Sequence, residues 1–355
     1  MRTSSALFKT VTDGPGRRDS RPNREMDHRE CRVLEEVERW LGHRSWSCAE
    51  RPLAGLLSAK RATGTRVSVV LPALNEERTV GGIVSVIQRE LMSPVPSMGL
   101  VDELVVLDSG STDRTAEAAA EAGAEVVRRD DVLPRLPALP GKGEVLWRSL
   151  LVTSGDVVCF VDADLKDFSA DFVSGIVGPL LTDPQLQLVK AMYDRPLGDD
   201  PAGGGRVTEL VARPLLNLHW PQLAGFVQPL GGEYAARRTL LEELPFPVGY
   251  GVELGLLIDA LHTAGLDALA QVDVGVRRHR HQDGQALGRM AAEIHHTAQL
   301  RLARGSHLVS PTLTQFERAG DGAGFAGFTP RSHTVDTVER PPMREIPEYA
   351  ARRAA

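Results

Sequence analysis

Two aspartates separated by a single residue, Asp162 and Asp164, follow an apolar run near the middle of the chain. Residues 156–161 have the composition of a buried strand, with β-branched and aromatic side chains. A strand that leads into Asp-x-Asp presents two oxygen ligands at its carboxyl end, where Mg²⁺ or Mn²⁺ can neutralise a diphosphate. By itself the pattern is also typical of an acidic turn, so the neighbouring elements have to decide.

Two earlier apolar runs, at 67–71 and 104–107, also lead into polar segments. The first segment is Pro72-Ala73-Leu74-Asn75-Glu76-Glu77, and the second is Asp108-Ser109-Gly110-Ser111-Thr112-Asp113. Helix capping explains part of both, since Asn75 and either Thr112 or Asp113 are good residues to begin a helix. Asp108 and the small hydroxylated residues after it also suit a nucleotide, because they can hydrogen-bond a base or ribose at close range.

Helices are predicted between these strands. Helical spacing occurs at 76–91, 114–122 and 142–151, and a short third strand is predicted at 125–127. Such alternation predicts right-handed βαβ units and a largely parallel sheet, and therefore an α/β fold. Ligands of these sheets bind beyond the carboxyl ends of the strands, where the polar segments lie. Together the motifs favour a sugar-nucleotide site with a metal ion at the Asp-x-Asp pair.

Two glycine-containing loops can bind anions. Pro140-Gly141-Lys142-Gly143-Glu144 begins a predicted helix, whose N–H groups and Lys142 ammonium would face the same ligand. Gly203-Gly204-Gly205-Arg206-Val207-Thr208 repeats the arrangement, and the Arg206 guanidinium suits a phosphate or carboxylate. The plain alternatives are a solvated lysine after a turn and a flexible glycine loop. If the second loop binds the molecule that accepts the sugar, that acceptor is a small anion.

Two further segments carry residues that can do chemistry. Gly249-Tyr250-Gly251-Val252-Glu253 begins another predicted helix, where Glu253 can favour the helix dipole or orient and deprotonate a sugar hydroxyl. Arg277-Arg278-His279-Arg280-His281 ends the last predicted strand. The residues alone favour a solvated basic edge there, although a neutral His279 can also bind a metal ion.

The second half is less regular. Strands are predicted at 186–191 and 269–276, and helices at 207–218, 252–264 and 285–304. We divide the chain into an N-terminal extension (1–60), a nucleotide-sugar-binding subdomain (61–195), an acceptor-binding subdomain (196–310) and a tail (311–355). Residues 1–30 are predicted to be disordered, a short helix is predicted at 34–41, and the tail is predicted to be irregular or disordered.

The composition restricts the class of protein. The 355 residues carry a formal charge of −6, which gives no basic surface for nucleic acid. The three cysteines have no paired spacing, so a reducing cytoplasm is the expected compartment. No apolar stretch reaches the roughly 18 residues that a membrane-spanning helix needs.

The three polar segments, in order, resemble the pattern of GT-A glycosyltransferases. With 140–150, 203–215, 228–236 and 249–259, they closely resemble the glucosyl-3-phosphoglycerate synthase family, over about residues 60–305. The resemblance implies a GT-A fold with a Rossmann-like sheet and a mixed acceptor-binding C-terminal half. It also implies transfer of glucose from UDP-glucose to the 2-hydroxyl of 3-phosphoglycerate with retention, dependence on Mg²⁺ or Mn²⁺, and a homodimer.

The resemblance also implies roles for single residues. Catalytic roles fall to Glu253, Asp164 and Lys142, and metal binding to Asp164 and His279. The expected donor contacts, which include Asp108 from the argument above, are Pro72, Ala73, Leu74, Glu76, Asp108, Ser109, Lys142, Asp162, Ala163, Tyr250 and Glu253. The expected acceptor contacts are Gly205, Arg206, Val207, Thr208 and Arg277. One departure is His281-Gln282, where some members have an arginine for the phosphate.

Other functions share parts of this pattern. One alternative is a mannosyl-3-phosphoglycerate synthase that uses GDP-mannose, or an enzyme that accepts both donors, since the choice of base and sugar depends on the shape of the pocket. A polyprenyl-phosphate sugar transferase shares the first three motifs but has a membrane segment. A non-catalytic protein that binds sugar nucleotides would not need all of the residues Lys142, Asp162, Asp164, Glu253 and His279.

Overall fold

A computed structural model describes residues 34–93, 95, 98–196, 204–278, 283–303, 312–318, 328–334 and 338–354. The strands are β1 (Ser45–Ser47), β2 (Val67–Ala73), β3 (Glu103–Asp108), β4 (Glu125–Arg128), β5 (Val157–Phe160), β6 (Leu188–Asp194), β7 (Tyr234–Arg237), β8 (Phe246–Pro247), β9 (Leu269–Val276), β10 (Thr312–Arg318), β11 (Phe328–Thr334) and β12 (Glu339–Arg340). The α-helices are α1 (Glu35–Arg44), α2 (Leu53–Thr63), α3 (Val80–Leu91), α4 (Thr115–Glu121), α5 (Lys142–Val152), α6 (Asp171–Thr182), α7 (Arg213–His219), α8 (Arg238–Glu243), α9 (Val252–Ala264), α10 (Gly284–Ala303) and α11 (Pro347–Ala354).

Within these residues, eight strands form one sheet in the order β1-β9-β6-β7-β5-β2-β3-β4. The neighbours β2, β3, β4 and β5 are parallel, as are β6 and β9. Strand β7 is antiparallel to both β5 and β6 and joins the two halves of the sheet. The predicted α/β class is confirmed, and β7, which the sequence pattern did not predict, makes the sheet mixed.

Alternation along the strands divides the interior into two apolar cores. Val69 of β2 and Cys159 of β5 belong to one core, whereas Val70 and Phe160 belong to the other. This period of two places one core on each face of the sheet. Helices α3 and α6 cover the first face, and α5 and α9 cover the second. Because both faces are covered, ligands reach the sheet from the edge where its strands end.

Most predicted elements are confirmed, and α9 and β9 have the predicted bounds. Helix α3 begins at Val80 rather than at 76, because Asn75 adopts a left-handed conformation with φ of 59°. The N–H groups of Thr79 and Val80 then close a turn on the Glu76 carbonyl oxygen. Residues 76–79 therefore form a turn directly before the helix rather than its first turn.

The region before residue 61 contributes more to the fold than predicted. The short helix is found as α1, and β1 pairs in parallel with β9. The Trp40 indole N–H also donates to the Leu269 carbonyl at 2.8 Å. The predicted disorder at 1–30 lies outside the described residues, and the subdomain boundaries remain predictions.

The prediction of an irregular tail is wrong for residues 338–354. Strand β12 pairs with β8, and Met343, Ile346 and Tyr349 are buried in the core. Strands β10 and β11 also pair with each other. Apolar residues at every third position within a charged segment are too few to predict that the segment is buried. Here tertiary contacts determine that it packs on the core. Among the described residues, none of the helices combines the length and the hydropathy that a membrane span requires.

Candidate active site

The loops that follow β2 and β3, here called the donor loops (74–77 and 108–115), interlock at the carboxyl edge of the sheet. The Asn75 side chain accepts from the Thr112 N–H at 2.9 Å, and the Asn75 N–H donates to Ser111 Oγ at 3.0 Å. The Glu76 N–H donates to Thr115 Oγ1 at 2.8 Å. Hydrogen bonds between side chains and backbone N–H groups therefore hold the donor loops in one shape.

The predicted donor residues at this edge differ in exposure. Leu74 is exposed, Pro72, Glu76 and Ser109 are half-buried, and Ala73 is buried. Asp108 is also buried, and its carboxylate accepts from the N–H groups of Gly110 and Ser111 in its own turn. The carboxylate thus shapes the loop, and its contact with a base or ribose stays a prediction.

The glycines beside Lys142 serve close packing. A methyl group on Gly141 or Gly143 would overlap the carbonyl oxygens of Val248 and Pro247. The Glu144 N–H at the start of α5 already donates to the Val248 carbonyl. The interpretation of this helix start as an open anion site is therefore wrong for that N–H group. What remains is the Lys142 side chain, which the packing aims at the Asp-x-Asp segment.

Lys142 joins two acidic residues from different parts of the chain. Its ammonium pairs with Asp162, and with Glu253 Oε1 at 2.7 Å. Although burial opposes the charged form, the two carboxylates hold the pKa of Lys142 well above its ordinary value. The lysine is therefore a permanent cation in the site, and a bound diphosphate would compete with these carboxylates for it.

Arg277 reaches the same aspartates from the end of β9. Its Nη2 lies 2.7 Å from Asp162 Oδ2 and 3.3 Å from Asp164 Oδ1, while its Nε donates to Glu233 Oε1 at 2.8 Å. We call Lys142, Asp162, Asp164, Glu233, Glu253 and Arg277 the central charge cluster. It lies where β5 and β9 end, so the predicted residues from both halves do meet.

The acidic side of the cluster fits a divalent cation. Burial raises the pKa of Asp164 to about 6; Arg277 opposes this rise, and Asp162 and Glu233 add to it. A second positive charge beside Asp164 would relieve that excess of negative charge, and hard oxygen ligands suit Mg²⁺ or Mn²⁺. Among the described residues, no three His, Cys, Asp or Glu side chains are arranged so that they could hold a metal ion together. The site would therefore need a further ligand.

The predicted further ligand, His279, lies outside the described residues. Its neighbour Arg278 is described: the Lys166 N–H donates to the Arg278 carbonyl at 2.8 Å, just after the Asp-x-Asp segment. The chain thus approaches Asp164 immediately before His279. Thr79 Oγ1 fixes the segment from the other side by donating to the Ala163 carbonyl at 2.6 Å.

Glu253 and Tyr250 lie at the start of α9. The Glu253 side chain is buried and paired with Lys142, whereas Tyr250 is exposed. The Tyr250 N–H donates to Glu293 Oε2 of α10 at 2.8 Å, and burial raises the pKa of Glu293. Helix α10 therefore supports the loop that carries both predicted residues.

The predicted acceptor loop packs on the end of β6. The Gly204 N–H donates to the Arg195 carbonyl at 2.8 Å, and Gly205 adopts a φ of 77° that favours glycine. Val207 and Thr208 are buried at the start of a π-helical turn, while Arg206 is exposed. Because β6 and β5 run in the same direction, this loop lies at the same edge as the central charge cluster.

Sequence reasoning missed three buried polar residues beneath the site: Lys190, Tyr193 and Glu233. Lys190 donates to the Gly231 carbonyl at 2.7 Å, and burial lowers its pKa to about 8. Tyr193 donates to Glu233 at 2.8 Å. The available signal was a lysine and a tyrosine in an otherwise apolar strand, and a glutamate after Gly231-Gly232.

The mixed sheet, with an Asp-x-Asp pair and interlocked loops at its carboxyl edge, defines a glycosyltransferase of the GT-A fold. The model of the family "Glycosyl transferase family 2" matches residues 68–189. Over 312 residues the chain is 50% identical to the glucosyl-3-phosphoglycerate synthase of Mycolicibacterium smegmatis, covering 87% of this chain and 98% of that protein. The chain belongs to the glucosyl-3-phosphoglycerate synthase family.

Solved structures agree with this assignment. The Mycobacterium tuberculosis glucosyl-3-phosphoglycerate synthase in complex with Mn²⁺, UDP-glucose and phosphoglyceric acid is 48% identical, with a TM-score of 0.72 over 82% of this chain and 94% of that one. The same enzyme has also been solved with Mg²⁺ and UDP. The mannosyl-3-phosphoglycerate synthase of Rubrobacter xylanophilus is 39% identical, with a TM-score of 0.76 over 87% of this chain and 97% of that one.

Proposed function

We propose that this protein transfers glucose from UDP-glucose to the 2-hydroxyl of 3-phosphoglycerate, with retention of the anomeric configuration. The observation that carries the proposal is the meeting of Lys142 and Arg277 with Asp162 and Asp164 at the sheet edge. Two cations and two carboxylates at one point suit a diphosphate with its metal ion. The acceptor is the one that the named relatives in this family use.

The donor side is built from the first half of the chain and Glu253. We place the nucleotide against the donor loops, with Pro72, Ala73, Leu74, Glu76, Asp108 and Ser109 as its contacts. Lys142 would leave Asp162 for the diphosphate and offset the charge that develops as the C1–O bond breaks. Mg²⁺ or Mn²⁺, held by Asp164 and His279, would stabilise the same leaving group when bound.

The acceptor side is built from Arg206, Thr208 and Arg277. Arg206 follows a glycine in a left-handed conformation and is exposed, which suits a small phosphate or carboxylate. Glu253 would hold the sugar or the acceptor hydroxyl in place. With no residue assigned as a covalent nucleophile, we propose front-face attack, in which the acceptor proton passes to the leaving diphosphate oxygen as the new C1–O bond forms.

A mannosyl transferase is the second candidate. The 39% identity and TM-score of 0.76 with the Rubrobacter xylanophilus mannosyl-3-phosphoglycerate synthase favour a shared architecture. The higher identity to glucosyl enzymes favours UDP-glucose as the donor.

The test is a transfer assay with radiolabelled UDP-glucose or GDP-mannose, 3-phosphoglycerate and Mg²⁺ or Mn²⁺. We expect a labelled product from UDP-glucose, with an α-linkage by NMR, and little product when unphosphorylated glycerate replaces the acceptor. Product from GDP-mannose alone would replace the proposal by its alternative. Binding of the sugar nucleotide without any transfer would indicate a non-catalytic protein.

Assembly and location follow from the same proposal. We propose a homodimer, as the family resemblance implies, and a cytoplasmic enzyme, because its substrates are soluble phosphates. Light scattering of the purified protein tests the first point, and fractionation of the source cells tests the second.

A further inference from the structure

Glu233 is a fully buried carboxylate directly before β7. It accepts from Arg277 Nε at 2.8 Å and from the Tyr193 hydroxyl at 2.8 Å. Glu233 is 0% exposed, and Arg277 and Tyr193 are each 4% exposed. An unpaired charge at such depth would be strongly destabilising, so the three groups depend on one another.

The backbone around Glu233 is held rigidly. Its carbonyl accepts from the Ala191 N–H at 2.9 Å, and the preceding Gly231 carbonyl accepts from Lys190 at 2.7 Å. A methyl group on Gly232 would overlap both the Lys142 ammonium and the Asp162 carboxylate. The segment 231–233 is therefore packed directly against the reacting region, and Glu233 is anchored within that segment.

The contact with Glu233 affects which nitrogens of the Arg277 guanidinium are engaged in hydrogen bonds. Nε is bound to Glu233, and Nη2 is shared between Asp162 and Asp164. The Tyr193 ring also lies 5.8 Å from the guanidinium carbon. The hydrogen bonds found among the described residues engage Nε and Nη2, which leaves the Nη1 donors for a ligand. Without Glu233, the attraction of the two aspartates alone would decide where the guanidinium lies.

We propose that Glu233 and Tyr193 are positioning residues that act through Arg277. They orient the guanidinium so that Nη2 meets the Asp-x-Asp pair and Nη1 is presented to the anionic acceptor. The identity of that acceptor rests on the proposed function. The orientation of Arg277 does not, because it follows from the contacts of Glu233.

Tyr193→Phe is the primary test, since it deletes one hydroxyl from a buried ring. Its loss frees Glu233 from one hydrogen bond and loosens Arg277. We expect the KM for 3-phosphoglycerate to rise about three- to tenfold, the range for one ordinary intramolecular hydrogen bond, because the hydroxyl acts on the acceptor only through Arg277. We expect little change in kcat or in the KM for UDP-glucose. The Kd for 3-phosphoglycerate, measured by calorimetry without donor, should rise by the same factor.

The Arg277→Ala background separates positioning from a general structural effect. There Tyr193→Phe should change neither the KM nor the Kd further, because the residue through which it acts is gone. If Arg277→Ala does not fold, Arg277→Gln serves as the background. An equal effect of Tyr193→Phe in both backgrounds, no effect in the parent, or an effect confined to UDP-glucose would overturn the proposal.

Tyr349→Phe is the matched control. Tyr349 of the C-terminal helix α11 is also buried, and its hydroxyl also contacts an arginine and a glutamate, Arg238 and Glu242 of α8. We expect its kinetic constants to equal those of the parent. A parent protein without transfer activity would reject the proposed function, whereas an active parent that tolerates Tyr193→Phe would reject the positioning role alone.

Discussion

The donor loops and the central charge cluster lie at the same edge of the sheet but are held together by different forces. Hydrogen bonds from backbone N–H groups to side chains, such as Thr112 to Asn75 and Ser111 to Asp108, fix the donor loops. The cluster consists of ion pairs such as Arg277 to Asp162, between residues 115 positions apart. Hydrogen bonds between the loops' own side chains and backbone hold one shape whether or not a ligand is present. Ion pairs instead exchange partners when an anion or a cation arrives, so the cluster is the part that we expect to rearrange.

The largest effect is expected from Asp164→Asn, which removes charge from the cluster and leaves the donor loops intact. We expect kcat to fall at least about a hundredfold, because the proposed metal ion loses Asp164 as a ligand and stabilises the leaving diphosphate less. Burial already disfavours the ionised carboxylate, so the variant should unfold at the same temperature or higher. Near-normal turnover, or a clear loss of stability, would contradict this division of roles.

Gly143→Ala breaks the packing that aims Lys142 at the cluster. Its methyl group would overlap the Pro247 carbonyl, and we expect the free energy of unfolding to fall by about 3 kcal/mol, with a lower kcat. Gly82→Ala in α3 is the control, since a methyl group there has open space and should stabilise the helix by about 1 kcal/mol. Urea denaturation measures both. Equal stability of the two variants would show that α5 can move away from Pro247.

Lys190→Met tests the buried cation beneath the cluster. The pKa of Lys190 is lowered from 10.5 to about 8, so below pH 8 the folded protein bears the cost of a buried charge. Between these values the unfolded state binds the extra proton, and stability rises with pH by about 3 kcal/mol. Urea denaturation at pH 7.5 and pH 10.5 measures the free energy of unfolding, and we expect its rise between these pH values to be absent in the variant. An equal rise in parent and variant would contradict the assignment of the rise to Lys190.

The smallest effect is expected in the donor loops, from the pair Asn75→Gly and Asn75→Ala. Both remove the hydrogen bond to Thr112, and alanine must also adopt a φ of 59°. Alanine should therefore cost about 1 kcal/mol more than glycine, with the KM for UDP-glucose raised a few-fold in both. Identical stabilities would show that the loop does not depend on this left-handed residue.

Local patterns predicted the elements that depend on local properties. Hydrophobic spacing predicted α9 and β9 with their observed bounds, since each lies in a strongly periodic segment. It missed β7, a four-residue strand whose place is decided by pairing with β5 and β6. It also missed the packing of 338–354, where Arg340 binds Glu144 across 196 positions.

The sequence by itself determined the α/β order of strands and helices, the Asp-x-Asp pair at a strand end and the glycines that flank Lys142. These follow from local spacing and residue chemistry. Only the tertiary structure decided that the Gly-Lys-Gly segment packs against the Val248 carbonyl, and that Glu233 accepts hydrogen bonds from both Arg277 and Tyr193. The choice of partner for a buried charge depends on which distant strands lie side by side, and hydrophobic periodicity carries no information on that choice.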